Sequence, residues 1–307
     1  MVLVCHALTG SSRVVDWWGG LAGPGRLLDT DALAIVCVNA LGSCYGSTGP
    51  GSLAPDGAPY GERFPVVGVF DMVRAQHTAL TKLGLERFAA VVGGSLGGMQ
   101  ALAWAIEAGP AVARAVAIGS YDHFSAMGIA LGAVAREAIR IAREPRDGIA
   151  LARKIAMLTY KSEALLDERF GRRPDRGGGD PAKRSRDRYD VEGYLDRQGQ
   201  LFATRMNPNA YATLSRAMDL FDARGRAIGN PSLELSFVGI SSDWLFPPNY
   251  VQAAAGRYAA AGFNSRYFEL ESNHGHDAFL AETDALAELL APRLRMIEHG
   301  LARMLRN

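Results

Sequence analysis

Apolar residues along this chain follow two rhythms. Short continuous runs occur at residues 2–5, 33–38, 88–92, 112–118, 233–239 and 265–270. Runs of that length, bounded by glycine and polar turns, predict strands buried on both faces. Between them, apolar positions recur every three or four residues, the spacing of a helix with one packed face. The first such segment carries Val66, Val67, Val69, Met72, Val73, Leu80 and Leu83 and ends near Gly84. A short helix is expected inside the glycine- and tryptophan-containing stretch 16–29, and a longer one follows residue 95. Others are expected at 250–261 and, as one closing helix, at 277–290. Strand and helix in alternation predict a mostly parallel sheet with helices on both faces and right-handed crossovers.

The rhythm changes between Phe124 and about Gly225. Helical spacing dominates there, with helices expected at 127–141, 149–160, 163–170, 191–202 and 210–220. No strand is needed in that stretch. It reads as a helical lid inserted after a strand, where a loop tolerates additions. The chain divides into a first core part at 1–123, a lid at 124–229 and a second core part at 230–307. Inside the lid, residues 170–190 form a basic, glycine-rich loop, expected to be solvated, with a cationic rim for a phosphorylated donor as the alternative.

The stretch that organises the chain is AAVVGGSLGGMQ, Ala89 to Gln100. A strand runs into G-x-S-x-G at Gly93, Ser95 and Gly97, and a helix runs out. This is the form of a nucleophile elbow, in which a serine sits exposed on a strained turn above a sheet. Small residues are required there because larger side chains would strike the facing elements. The helix beginning after Ser95 leaves free N–H groups at its start, so the Leu96 N–H is a candidate oxyanion donor. The loop after the first strand, HALTGSS, is expected to supply the second, through Leu8. His6 in that loop is read as a packed residue that stiffens it. The glycines of the loop NALGSCYGSTGP, Asn39 to Pro50, would permit close approach to a ligand.

Two later segments supply partners for a serine. Asp243 follows a strand in GISSDWLFPP, and His276 follows the last strand in ESNHGHDAFL. The order Ser, Asp, His is that of α/β-hydrolases. Serine needs a base to take its proton, and the base needs a carboxylate to orient it. His274 is the alternative base, two residues earlier.

Composition narrows the partners. The formal net charge is +1, which gives no reason to expect nucleic acid. No segment has the length and apolarity of a membrane span. The three cysteines lack C-x-x-C spacing, against a disulfide framework or a structural zinc site, so no metal and a reducing cytoplasm are expected. No signal peptide is visible, because the chain opens directly in a strand-like run.

The chain resembles the homoserine O-acyltransferase family of α/β-hydrolases. The resemblance rests on CHALTGSS, NALGSCYGSTGP, RFPVV, GGSLGGMQALAWA, LARKIAMLTYKS, SSDWLFPP and HGHDAFL, spread over nearly the whole length. It implies transfer of an acyl group from acetyl-CoA, or another acyl-CoA, through an acyl-serine to an amino-acid hydroxyl, with no tightly bound cofactor. Homoserine O-acetyltransferase is the leading expectation, a step towards methionine. Serine acylation, homoserine succinylation, and an esterase or thioesterase using water are the alternatives. By resemblance Ser95 is the nucleophile, Asp243 the orienting acid and His276 the base. Arg153 grips the acceptor carboxylate, Tyr160 belongs to the same pocket, and Asp277 meets the acceptor ammonium. A homodimer built through the lid helices is likewise implied, and further strands usually precede the one that opens this chain. The chain departs from the family pattern at Gly68 and Phe70, where threonine and arginine are usual, at Tyr121 and Asp122, where small and basic residues are usual, and in a shorter lid before Gly148.

Overall fold

The computed structural model describes residues 1–294. Eight strands and eleven helices alternate along them. Strands are β1 (Val2–Cys5), β2 (Ala22–Gly23), β3 (Leu28–Asp29), β4 (Ile35–Cys37), β5 (Ala90–Gly94), β6 (Arg114–Ile118), β7 (Glu234–Ile240) and β8 (Asn264–Leu270). Helices are α1 (Val14–Trp18), α2 (Val69–Lys82), α3 (Leu96–Glu107), α4 (Ala126–Ile141), α5 (Pro145–Tyr160), α6 (Glu163–Arg169), α7 (Asp190–Ala203), α8 (Pro208–Asp219), α9 (Pro248–Ala260), α10 (Ala278–Ala281) and α11 (Thr283–Leu294). The main sheet has the order β4-β1-β5-β6-β7-β8, and every neighbouring pair is parallel. β2 and β3 form a separate small ribbon.

Strand periodicity divides the core in two. Leu3, Cys5, Val91, Ala115 and Ala117 pack with α2, α3 and α9 on one face. Val2, Val4, Val92, Val116 and Ile118 pack with Trp18, Phe279 and α11 on the other. Both faces are therefore covered, as the continuous apolar runs require. The lid is all helical between β6 and β7, with α4 through α8 in sequence order. Among the described residues no helix is long and apolar enough to cross a membrane.

One expectation needs correction, and two loops gain detail. The closing helix at 277–290 is broken. Residues 275–277 form a single 3-10 turn, α10 follows, and Glu282 at φ −100°, ψ 53° separates it from α11. In the loop 39–50 two glycines are required by close packing. A side chain on Gly49 would start 2.2 Å from the Ser43 carbonyl oxygen, and one on Gly42 would meet Thr213 of α8. In the basic loop, Arg188 pairs with Asp175 and Asp196, Arg184 with Asp187, and Lys183 with Asp180, so much of its positive charge is spent internally.

The tightest point of the fold is the crossing of α3 over β1 and β5. A side chain on Gly97 would place its first carbon 2.1 Å from the Cys5 carbonyl oxygen, and one on Gly93 2.3 Å from that of Gly97. Backbone is on both sides, so neither can yield. Gly256 in α9 has nothing within 4 Å of that position. Gly97→Ala is therefore expected to destabilise the protein by about 2–4 kcal/mol through overpacking and backbone displacement. Gly256→Ala is expected to be neutral or stabilising by up to about 1 kcal/mol, since alanine is the better helix former. Urea unfolding midpoints of the two variants check both signs.

Candidate active site

The site lies at the C-terminal edge of β5, β6 and β7. Ser95 stands between β5 and α3 at φ 58°, ψ −125° and is the only non-glycine residue with positive φ among those described. An L-residue holds that geometry only where its surroundings enforce it. Its N–H donates to the Ile118 carbonyl at 2.8 Å, and its own carbonyl accepts from Met99 at the start of α3. Ser95 is 6% exposed.

Gly119 follows Ile118 with φ 51°, and the space where a side chain would begin lies 3.3 Å from His276 and 3.5 Å from Asp243. A residue larger than glycine would crowd both. His276 Nδ1 lies 2.6 Å from Asp243 Oδ2, and both side chains are almost fully buried. Asp243 Oδ1 accepts from the N–H groups of Leu245 and Phe246 at 2.9 Å each. That carboxylate is held at both oxygens, which fixes the ring it faces. Phe246 stacks on the imidazole at 5.0 Å and Phe279 meets it edge-on at 5.6 Å. His276 Nε2 is buried with no hydrogen-bond partner. His274, the alternative base, is instead half-exposed and paired with Glu282 at 2.7 Å. Three residues that the sequence separates widely thus share one sheet edge.

Leu8 and Leu96 flank the elbow. Leu96 is the first residue of α3, so its N–H has no partner within the helix. The Leu8 loop is braced by His6, which is fully buried. His6 Nε2 accepts from the Ala40 N–H at 2.9 Å, leaving Nδ1 to donate to the Ala7 carbonyl at 2.8 Å. Burial lowers the His6 pKa, in keeping with a neutral ring used as a strut.

The acceptor candidates come from the middle and end of α5 and from the turn bearing His276. The Arg153 guanidinium lies over the rings of Tyr160 at 5.3 Å and Phe202 at 5.0 Å. Its Nη1 is buried and unpartnered. Tyr160 lies 5.8 Å from the His276 ring. Burial raises the Tyr160 pKa, Arg153 acts against that shift and Asp277 adds to it, so both charges act at one phenol. Asp277 carries a partner that sequence reasoning missed. Lys161 Nζ lies 2.9 Å from its carboxylate, with both side chains largely buried. The motif ending in TYKS contains that lysine, but nothing in its spacing points to a carboxylate more than a hundred residues away.

The lid is clamped to this turn. The Ser162 hydroxyl donates to the Asn273 carbonyl, and the Trp244 indole to the Lys161 carbonyl at 3.3 Å. Gly275, φ 66°, lies against the Lys161–Ser162 backbone so closely that a side chain would start 2.7 Å from it.

Comparison with known proteins places this architecture. The family profile of the alpha/beta hydrolase fold matches residues 1–283. Homoserine O-acetyltransferase of Geobacter sulfurreducens is 39% identical, with 97% of this chain and 88% of that one aligned. Homoserine O-acetyltransferase of Moorella thermoacetica is 40% identical, over 98% and 87%. The chain belongs to the homoserine O-acetyltransferase family of α/β-hydrolases. An esterase crystal structure is also similar, with TM-score 0.85, 25% identity, and 95% of this chain and 89% of that one covered.

Three of the residues that depart from the family pattern, Phe70, Tyr121 and Asp122, are held by specific contacts. Phe70 stacks on Phe221 at 5.6 Å and carries the Arg226 guanidinium 3.9 Å above its ring. That cation comes from a segment on the far side of the helical insertion. Tyr121 is fully buried against Phe246 and Tyr250. Asp122 takes both arms of Arg257, at 2.8 and 2.7 Å, and the His123 ring at 2.9 Å.

Asp122 is 1% exposed, so this pair should register in stability. Burial pushes its carboxyl up, but hydrogen bonds from Arg257 and His123 outweigh it and the pKa is lowered. A depressed folded pKa contributes stability that is full above the unfolded value and lost as pH falls through the folded one. Asp122→Asn is expected to cost about 1–3 kcal/mol at neutral pH, less than a fully buried pair because Arg257 is half-exposed. The gap to the parent should begin to narrow as pH falls to about 4, where the unfolded carboxylate takes up its proton, and should close only below the lowered folded pKa. Denaturant melts across a series from pH 7 down to about pH 2 follow the narrowing.

Proposed function

We propose that the protein transfers the acetyl group of acetyl-CoA to the hydroxyl of homoserine by a ping-pong route through an acyl-serine. The Ser95 hydroxyl attacks the thioester carbonyl while His276 Nε2 takes its proton. The tetrahedral oxyanion sits against the N–H groups of Leu8 and Leu96. The C–S bond breaks, the proton passes to the departing thiolate, and CoA leaves. Homoserine then enters, gives its hydroxyl proton to His276 and attacks the acyl carbonyl, which restores Ser95. Asp243 keeps the imidazole in the tautomer with Nε2 free and stabilises it when charged. The lid, 124–229, covers the reaction from water.

The observation that carries transfer rather than hydrolysis is Arg153. A buried guanidinium nitrogen without a partner, between two aromatic rings, is costly unless an anion arrives, and an amino-acid acceptor brings a carboxylate. Asp277 supplies the opposite charge for the ammonium, exchanging Lys161 for it. Tyr160 forms the wall between these groups and His276. Water requires none of the three.

The same reading takes the protein as a cytoplasmic homodimer. The three cysteines are free, as a reducing compartment would keep them. Helix α4 exposes Met127, Val134 and Ile141, seven residues apart and so on one stripe. A second copy of this face is the occupant of matching chemistry.

Burst acylation by acetyl-CoA and homoserine-dependent turnover, measured in the same variants, test the mechanism. Ser95→Ala should lose the burst entirely. Arg153→Leu should keep the burst and lose about 30-fold or more in turnover, since removing a buried charged partner costs roughly 2–5 kcal/mol. Thiol release equal with and without homoserine would identify an esterase instead.

Light scattering should give twice the chain mass for the parent, and Val134→Glu should shift it towards the monomer. A parent that is monomeric at all concentrations would remove the dimer from the reading.

A further inference from the structure

Three buried polar side chains form a line beneath the active site and take no part in the chemistry described above. Gln76 of α2 is 3% exposed, and Gln100 and Trp104 of α3 are fully buried. The Trp104 indole N–H donates to Gln76 Oε1 at 2.9 Å, and Gln76 Nε2 donates to Gln100 Oε1 at 2.8 Å. Gln100 Nε2 then donates to two backbone carbonyls, that of His6 at 3.2 Å and that of Leu96 at 3.4 Å. Those carbonyls lie in the two segments that carry the candidate oxyanion donors. His6 opens the loop of Leu8, and Leu96 is the other donor residue itself.

The direction of this line is fixed at its far end. An indole nitrogen can only donate, so Gln76 must turn its oxygen to Trp104 and its nitrogen to Gln100. Gln100 must then meet Gln76 with its oxygen, which leaves its N–H groups to face His6 and Leu96. A flipped Gln100 would set its oxygen against two carbonyl oxygens and lose the bond from Gln76. Trp104 is itself held edge-on by Phe88 at 5.7 Å and His77 at 5.3 Å.

The peptide that Gln100 holds, His6–Ala7, adjoins the one that carries the Leu8 N–H. In that next peptide the Ala7 carbonyl accepts from His6 Nδ1 at 2.8 Å and from the Gly10 N–H at 2.9 Å. A trans peptide points its N–H away from its C=O, so these bonds aim the Leu8 N–H. One amide nitrogen of Gln100 thus ties the loop of Leu8 to the first turn of α3. Apolar side chains of the same shape could replace such a line at little cost in stability. What the hydrogen bonds add is a fixed geometry.

We propose that Trp104, Gln76 and Gln100 form a one-way hydrogen-bond relay that sets the spacing of the Leu8 and Leu96 N–H groups, with Gln100 as a positioning residue for the reaction. The proposal rests on the acyl-serine reading above and on those two donors. Gln100 touches no substrate and acts through the N–H groups, which must lie about 2.7–3.1 Å from the oxyanion. Misplacement by about 1 Å costs on the order of 100-fold in rate.

The test uses nitrophenyl acetate, which needs neither CoA nor homoserine, so failure of transfer to homoserine changes neither readout. Burst kinetics give the acylation rate constant and KM. Isotope-edited infrared spectroscopy gives the carbonyl stretch of acetyl-Ser95, which oxyanion donors lower by polarising the bond. Gln100→Met is expected to slow acylation about 30-fold or more with KM changed less than about threefold, and to raise the stretching frequency. Trp104→Phe, which removes the N–H that sets the direction, should move both in the same sense by less. Leu80→Ala, a buried change in α2 outside the relay, should lower the urea midpoint without moving the stretch. Should Gln100→Met not fold, Gln76→Met breaks the relay one link further from the site and carries the same expectation. A folded Gln100→Met or Gln76→Met protein with the parent's rate constant and stretch would overturn the relay. An equal shift in Leu80→Ala would do the same, because general loosening would then explain it. A parent that forms no acetyl-Ser95 by intact mass would instead overturn the acyl-serine reading, and the relay's role with it.

Discussion

Everything at this site depends on how closely α3 approaches the backbone of β1 and β5. The helix can start directly above the sheet edge only because Gly93 and Gly97 bring main chain against main chain. That contact forces Ser95 into a left-handed conformation that an L-residue avoids. The strain is borne by the sheet, through the Ser95 N–H to Ile118 and the Met99 N–H to Ser95. The adjoining residue, Gly119, is in turn the one that His276 and Asp243 lie against. Serine position and imidazole position are therefore set by neighbouring residues of a single rigid edge. The buried carboxylate that orients the imidazole is itself held by two backbone N–H groups.

A second dependency links the lid to His276. Tyr160, Lys161 and Ser162 are consecutive, and each touches the segment around His276 by a different means. Tyr160 packs near the ring, Lys161 pairs with Asp277, and Ser162 bonds Asn273. Gly275 is required at the point of closest approach. The helix that ends in this tripeptide also carries Arg153. Arg153 and the His276 imidazole thus share one frame, although one comes from the helical insertion and the other from the core.

Much of this was legible in the sequence because its causes are local. The elbow is a short pattern whose glycines have steric reasons, and the carboxylate and imidazole each follow a buried apolar run. The five lid helices follow from spacing alone. What escaped the sequence depended on distant pairings. Lys161 meets Asp277 across more than a hundred residues, and Arg226 reaches Phe70 from the other side of the lid. Residues 277–290 keep helical spacing, yet the helix breaks at Glu282. The packing that requires glycine at 42 and 49 is invisible in the sequence, because Thr213 and the Ser43 carbonyl meet those positions only in the folded chain.

The lid enters and leaves the core at one place. His123 and Asp222 form an antiparallel bridge, Phe124 N–H donates to Phe221, and Ala223 N–H to Asp122. To the sheet, the whole helical insertion is a hairpin whose two stems are already tied. Closing such a loop adds little entropy however long it is. Its helices can lengthen, shorten or be exchanged over evolutionary time without altering sheet register. The one obligation on any replacement is to present a residue-scale latch, as Lys161 and Ser162 do, to the turn that bears the imidazole. A scaffold wired this way lets natural selection rewrite what is accepted while leaving how the bond is broken untouched.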